Sequence, residues 1–461
     1  MACKSKQESR PMSNSPSRYC TAEEVAALIQ QGQAHYARVD NPPYIKPAHE
    51  YIPLLPNVLK LEHGVRAVFM DMDGTTTMTE DLCLHALETF VRKAKGKYES
   101  DDWAGLNPER DYPHIIGSSV TANVGYLIQA YGKEFQKPRL DRAFIAATAW
   151  TLGHRPSADR VRETKSDLLA LGGAGILEDP RYTALVEMDS PQSEHATELA
   201  THYGPFLDWS IPENRVRCGL AIYYESLHAM LLHIEQGHSA SVADKIYNDG
   251  RTHAIVPLNG VGFLHALVQG WLGEDTAAVA QWHSEKHQCP MTLTTEHLNK
   301  LGQYFEAHPS PVALVTSSTA FEAHVVLNEV FSGLIDEVAQ WPLSEEKRAC
   351  IQAGFKDHNT FYAAVITASD CHEIRLKPYR DLYNVGLHAL GILPDEAINV
   401  VGFEDTESGV IALRAAGVGV PCAVPFEGTA GHDFQAASHI QAQGVLGAVL
   451  QQGLFMDESA L

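Results

Sequence analysis

The chain has 461 residues, enough for two or three domains with a sizeable core. It carries 57 acidic against 35 basic side chains, a formal net charge of -22. This excludes a broad basic face for DNA or RNA, but not a small anion held by a few local cations and a metal. No apolar run reaches the roughly 18 residues that suggest a membrane span.

The eight cysteines are scattered without a CxxC pair, so reduced thiols in a cytoplasmic setting are expected. Residues 1–20 are polar and lack an apolar signal core, which reads as a flexible leader. An apolar helical pattern covers 22–38, and the proline-rich stretch 41–64 reads as extended coil. Residues 21–60 are therefore expected to form a helical and coil extension. The run "VRAVFMD" (65–71) then reads as a buried strand.

Helical patterns dominate 80–294, among them "DLCLHALETFVRKAKGKY" and "YYESLHAMLLHIEQGH". A helix capped by Thr294 or Thr295 follows. Strands then alternate with helices: "PVALVTSS", "AAVITASD", "AINVVGFED" and "GVPCAVP" are the apolar strands. Such alternation predicts a mostly parallel sheet covered on both faces, an α/β Rossmann-like three-layer sandwich. It would be built from 61–79 and 295–461, with a mainly helical cap, 80–294, inserted after the first strand.

Open parallel sheets bind ligands at the carboxyl ends of their strands. Those ends carry Asp71 and Asp73, then Thr316, Asp370, and Glu404-Asp405, with Lys377 beyond the third set. Asp71 could attack phosphorus and Asp73 could move a proton. Asp71, Glu404 and Asp405 form an oxygen-rich set suited to Mg²⁺, while Lys377 and Thr316 could offset phosphoryl charge. Bland readings stand beside these. A lone DxDG is often a turn, and Glu404-Asp405-Thr406 could simply start a helix. Four such signals at four strand ends, in one order, favour a site.

These motifs resemble the haloacid dehalogenase (HAD) superfamily. "DMDGT" (71–75), "VALVTSS" (312–318), "LKP" (376–378) and "VVGFEDTESGVIALRAAG" (400–417) are similar to its four motifs, the last with particular specificity. The resemblance covers about 60–82 and 295–450, and within the superfamily is to the beta-phosphoglucomutase and phosphoglycolate phosphatase branch. It implies a HAD-like fold, Asp71 as nucleophile and Asp73 as general acid/base. It also implies phosphoryl binding by Thr316 and Lys377, and Mg²⁺ held by Asp71, the Asp73 carbonyl and Asp405, with Glu404 a ligand directly or through water. The chain departs from the branch at Met78 and Arg380, and in a cap more than twice the usual length.

The cap start offers Thr77, Thr79, Glu80 and His85, with Thr79 alternatively a helix N-cap. Ser118 lies in a Gly-Ser-Ser turn before a helix. Thr79, Ser317, Ser118 and Arg380 are the candidate substrate contacts. His324 and His372 are weaker candidates, and Cys371-His372 has no partner cluster. His228 and His233, five apart, suggest helix-surface roles. The expected function is Mg²⁺-dependent hydrolysis of a small soluble phosphomonoester through an aspartyl phosphate. A sugar-phosphate phosphomutase is the alternative, and a non-catalytic binding module is a further one. Neither a nucleic acid nor a membrane is an expected partner.

Overall fold

A central sheet of six parallel strands organises most of the chain, and its order decides where chemistry can occur. The computed structural model describes residues 21–31, 35–41, 46–62, 64–96, 103–189, 194–370 and 375–456. The expected leader 1–20 and His372 lie outside the described residues. The chain divides into two units, Met1–Leu55 and Pro56–Leu461.

The first unit holds a helix, Ala22–Gln31, and an antiparallel pair, β1 (His35–Asp40) and β2 (His49–Leu54). This corrects the sequence expectation of helix to residue 38 followed by coil. "HEYIPL" alternates in exposure, "HYARVD" does so only from Ala37 onward, and the two pair throughout, His35 opposite Leu54 and Asp40 opposite His49. Cross-strand pairing outweighs the helical periodicity of the short "HYAR" end.

The second unit contains β3 (Ala67–Met70), β4 (Val312–Val315), β5 (Ala364–Ile366), β6 (Val400–Glu404), β7 (Val420–Ala423) and β8 (His439–Ile440). They are hydrogen-bonded in the order β5-β4-β3-β6-β7-β8, every pair parallel. The chain thus winds one way from β3 and restarts on the other side at β6. This is a Rossmann-like, doubly wound arrangement. β8 has two residues and no apolar run to announce it.

The strands are apolar throughout because both faces are covered. Ala67 and Phe69 of β3, with Ala313 and Val315 of β4, point to one face. There they meet Leu382, Tyr383 and Leu387 of helix Asp381–Ala389 and Leu413 of helix Glu407–Ala416. Val68, Met70, Val312 and Leu314 point to the other face, whose core includes Leu301 and Phe305 of helix Thr295–Ala307 and Val330 of helix Ala320–Val338. Thr294, not Thr295, caps the first of these helices, accepting from His297 N at 3.0 Å.

Residues 71–311 separate β3 from β4 and contain a large helical insertion. Its long helix Pro212–Glu235 packs against Glu80–Lys95 and Lys137–His154. The helices Val261–Val268 and Thr276–His287, within the stretch that sequence assigns to the cap, pack on Thr295–Ala307 and Gly444–Gln451, which line the sheet. Insertion and sheet therefore share one apolar interior.

Phe69 is fully buried and its ring lies 5.8 Å from that of Tyr383. Replacing it with alanine is expected to cost about 3–5 kcal/mol, because the central strand leaves little room for collapse around the void. Urea denaturation checks this. A loss below about 1 kcal/mol would mean that Phe69 does not anchor the sheet-to-helix packing.

Candidate active site

The reversal of strand order opens a crevice between β3 and β6, and both strands end there in carboxylates. Asp71 follows β3, Glu404 ends β6, and Asp405 comes next. Their strands are in register, Met70 opposite Phe403, so the three side chains emerge together. One carboxylate oxygen from each lies within 4.8 Å of the others, and all three residues are buried.

The loop after β3 is tightly held. Gly74 adopts φ +85° and its N–H donates to Thr77 O at 2.7 Å. A Cβ there would approach Asp405 Oδ2 to 2.5 Å, so glycine is needed for both conformation and space. The three threonines that follow are buried. Thr75 Oγ1 reaches toward Asp405 Oδ1 at 3.5 Å, Thr76 donates to Asp71 O at 2.6 Å, and Thr77 donates to Val256 O at 2.6 Å. Thr77 is thus a structural tie. Thr79 makes no capping bond from its side chain, but its hydroxyl donates to Asp73 Oδ1. Ser318 donates to the other oxygen, Asp73 Oδ2, at 2.9 Å. Asp73 is therefore clamped between the first turn of the insertion and the loop after β4.

Lys377 reaches into the cluster from the loop before helix Asp381–Ala389. Its ammonium bonds Asp71 Oδ1, Glu404 Oε1 at 2.7 Å and Val315 O at 3.1 Å. Those contacts engage its three donors. Tyr383 donates to Glu404 Oε1. Gly409 makes room for Glu404, since a Cβ would stand 2.0 Å from its carboxylate. Thr406 caps helix Glu407–Ala416 through Gly409 N at 3.1 Å. The segment after β6 thus both starts a helix and supplies carboxylates.

Electrostatics explains what the cluster lacks. Burial, then Glu404, pushes the Asp71 carboxyl well above its usual range, against the pull of Lys377. Burial, then Asp71 and Glu404, does the same to Asp405. Asp73 is raised chiefly by burial, with its bonds from Thr79 and Ser318 opposing. Burial acts to lower Lys377, yet Asp71 and Glu404 hold it raised and charged. Glu80, on the cavity wall, is pushed up to about 7 by burial and then by Asp73. A trio of buried oxygen ligands with one nearby ammonium is short of positive charge, and fits a hard divalent cation.

A cavity of about 340 Å³ opens on this cluster. Asp71, Asp73, Thr316, Ser317, Lys377, Glu404 and Asp405 line it from the sheet side, and Ser118, Asn123 and Tyr223 from the insertion. Thr316 is buried, and its Oγ1 accepts from Ser318 N at 3.0 Å. Arg380, expected as a substrate contact, is exposed and absent from the cavity lining, because it stands where helix Asp381–Ala389 begins. Asp370 is also withdrawn, since its carboxylate accepts from Thr367 N and Oγ1 at 2.6 and 2.7 Å. His324 is exposed and contacts His358 at 3.3 Å. His85 is half-buried and is held down at about 4, chiefly by burial. His228 is no surface residue. It is buried and bonds Glu322 at 2.9 Å, which ties the insertion to the capping box of helix Ala320–Val338.

Sequence reasoning did not single out Ser318, Tyr383, Tyr223 or Asn123. Ser318 lay within the quoted "VTSS" motif, and its position two residues past Thr316 was a usable signal. The other three carry no local pattern, because they arrive from helices that only packing brings to the crevice.

No protein-family model matches the chain, and no curated protein matches it. Solved structures similar to it include CbbY from Rhodobacter sphaeroides in complex with phosphate, at 11% identity and a TM-score of 0.38, covering 84% of this chain and 97% of that one. A hydrolase from Pseudomonas syringae is similar at 11% identity and TM-score 0.31, over 83% of this chain and 96% of that one. A HAD-superfamily hydrolase from Geobacter sulfurreducens is similar at 12% identity and TM-score 0.30, over 85% and 97%.

The raised carboxyls give stability a definite pH dependence. The folded chain retains protons that the unfolded chain releases, so stability falls as pH rises from the ordinary carboxylate range, near 4, toward the raised values. For Glu80 that window closes at about 7. A divalent cation favours the ionised forms and opposes the fall. In EDTA the melting temperature should therefore drop as pH rises from about 4 through about 7. Added Mg²⁺ should flatten the drop in the wild type and not in Asp405→Asn. Parallel curves with and without Mg²⁺ would show that no cation binds the cluster.

Proposed function

We propose that the chain is a Mg²⁺-dependent phosphomonoester hydrolase that acts on a small phosphorylated molecule through an aspartyl phosphate at Asp71. The observation that carries this reading is the pairing of Asp71, held by Lys377, with Asp73, held by Thr79 and Ser318, on one cavity beside the Asp71–Glu404–Asp405 trio. A turn or binding loop would need one of these features, not all of them together.

In the first step an Asp71 carboxylate oxygen attacks phosphorus, the phosphorus–oxygen bond to the alcohol breaks, and Asp73 gives its proton to the leaving oxygen. The upward push on Asp73 keeps that proton available. In the second step water attacks the same phosphorus, its proton passes to Asp73, and Asp71 is released with inorganic phosphate. Lys377 and the Thr316 hydroxyl, both on the cavity wall, would bind the phosphoryl oxygens, with Lys377 exchanging one of its present partners for substrate. Asp71, Glu404, Asp405 and the Asp73 carbonyl would hold Mg²⁺, which supplies charge neutralisation to the transferring group.

The insertion closes the other side of the cavity with Ser118, Asn123 and Tyr223, which limits access to small substrates. Ser118 and Ser317 are both exposed on its wall and suit hydroxyl or phosphate contacts.

The test is phosphate release from a panel of sugar, nucleotide and small organic phosphates. Release should require Mg²⁺, stop with EDTA, and fall by about 10³-fold or more in Asp71→Asn. Asp73→Asn should lose about 10²–10⁴-fold, mainly in kcat. An isomeric sugar phosphate formed without free phosphate would establish the mutase instead. Activity retained in Asp71→Asn would overturn the covalent step.

A further inference from the structure

Away from the carboxylate crevice, a second set of metal-type ligands lies between two helix ends. His283 and His287 stand one turn apart on helix Thr276–His287, an i, i+4 pair on one face. Glu337, in the last turn of helix Ala320–Val338, faces them. One ligand atom from each residue lies within 4.8 Å of the others. His283 Nε2 and Glu337 Oε1 are 3.6 Å apart. Two donors on one tetrahedral zinc, each about 2.0–2.1 Å from it, stand about 3.4 Å from each other.

Four polar atoms of this trio are buried without a hydrogen-bond partner. His283 is fully buried, and neither of its ring nitrogens has a hydrogen bond. His287 Nε2 and Glu337 Oε1 are likewise unpartnered. A buried polar group in that state is destabilising unless a ligand from outside the chain satisfies it. His265 is equally buried and unpartnered, but its ring is packed against Phe361 and Tyr362. What distinguishes His283 is that its unpartnered nitrogen meets a second imidazole and a carboxylate. Gly262 keeps the space open, because a Cβ there would come within 2.9 Å of Glu337 Oε1.

We propose that His283, His287 and Glu337 form a binding site for a zinc-type divalent cation, distinct from the Mg²⁺ site. Two imidazole nitrogens and one carboxylate oxygen suit Zn²⁺ and disfavour Mg²⁺, which prefers an all-oxygen octahedron. Both helices contribute from their C-terminal turns, where the peptide dipoles favour positive charge. Lys286 is the opposing charge, and its ammonium is turned to Gln340 at 3.4 Å. Three protein ligands leave a fourth position. His287 also borders a cavity of about 280 Å³ shared with Asn259, Gln443 and the loop residues Gly74 and Thr75.

The experiment strips the full-length chain with a chelator and titrates Zn²⁺ in excess Mg²⁺ against a chromophoric competitor. Co²⁺ absorption then reports tetrahedral coordination. One tight equivalent is expected in the wild type and in Asp405→Asn. His287→Ala and Glu337→Gln should each weaken it by about 100-fold or more, since even outer partners of a ligand are worth 10–100-fold. Glu337→Gln preserves shape and serves if His287→Ala fails to fold. No tight equivalent in the wild type would overturn the site. So would an unchanged affinity in both variants, or loss of the equivalent in Asp405→Asn.

Discussion

Burial of three carboxylates beside one ammonium, at the junction of β3 and β6, is the constraint on which the rest of this site depends. Asp71, Glu404 and Asp405 repel one another in a place that water does not screen, and Lys377 offsets only part of that charge. The surrounding backbone is shaped to this demand. Gly74 turns through a positive φ so that Asp405 can sit against it, and Gly409 leaves the volume that the Glu404 carboxylate fills. A methyl group at either position would meet a carboxylate oxygen below van der Waals distance.

The strand order makes this arrangement possible. Because β3 lies between β4 and β6, the residues beyond its end face those of both neighbours. Thr316 and Ser318 arrive from the β4 side and Glu404 and Asp405 from the β6 side. The insertion leaves the sheet at this same place. Its first residues therefore cannot avoid the site, and Thr79 uses its hydroxyl on Asp73 where a helix N-cap would otherwise turn inward. The insertion is also joined to the sheet layer by apolar packing and by the buried His228–Glu322 pair. Motion of the insertion would have to disturb that pair, which sits at the start of helix Ala320–Val338.

The same physics separates the two ligand clusters by cation type. The crevice offers oxygen donors of high negative charge, suited to a hard cation. The His283–His287–Glu337 cluster offers two neutral imidazoles among aromatic rings, including Phe263 and Trp341, with one carboxylate. That second cluster illustrates a limit of reading residues in order. His283 and His287 have helical spacing, but their third partner lies 50 residues downstream and is recognisable only once the helices pack.

The sequence by itself determined five of the six parallel strands and the polar residues at their ends. Strands such as "AVFM", "VALV" and "VVGFE" are apolar on both faces, so they must be covered twice, and polar residues at their ends stand out against that background. Asp71, Asp73, Thr316, Lys377, Glu404 and Asp405 were legible for this reason, and the structure brings all six to one cavity. Tertiary structure alone decided the rest. The short pair β1 and β2 needed each other to become strands, since neither has a decisive period. Arg380 was sent outward by a helix start, and Tyr383 inward one turn later, a choice set by helical phase against the sheet. Tyr223 and Asn123 reached the site on helices whose positions depend on packing among distant residues, which no local pattern encodes.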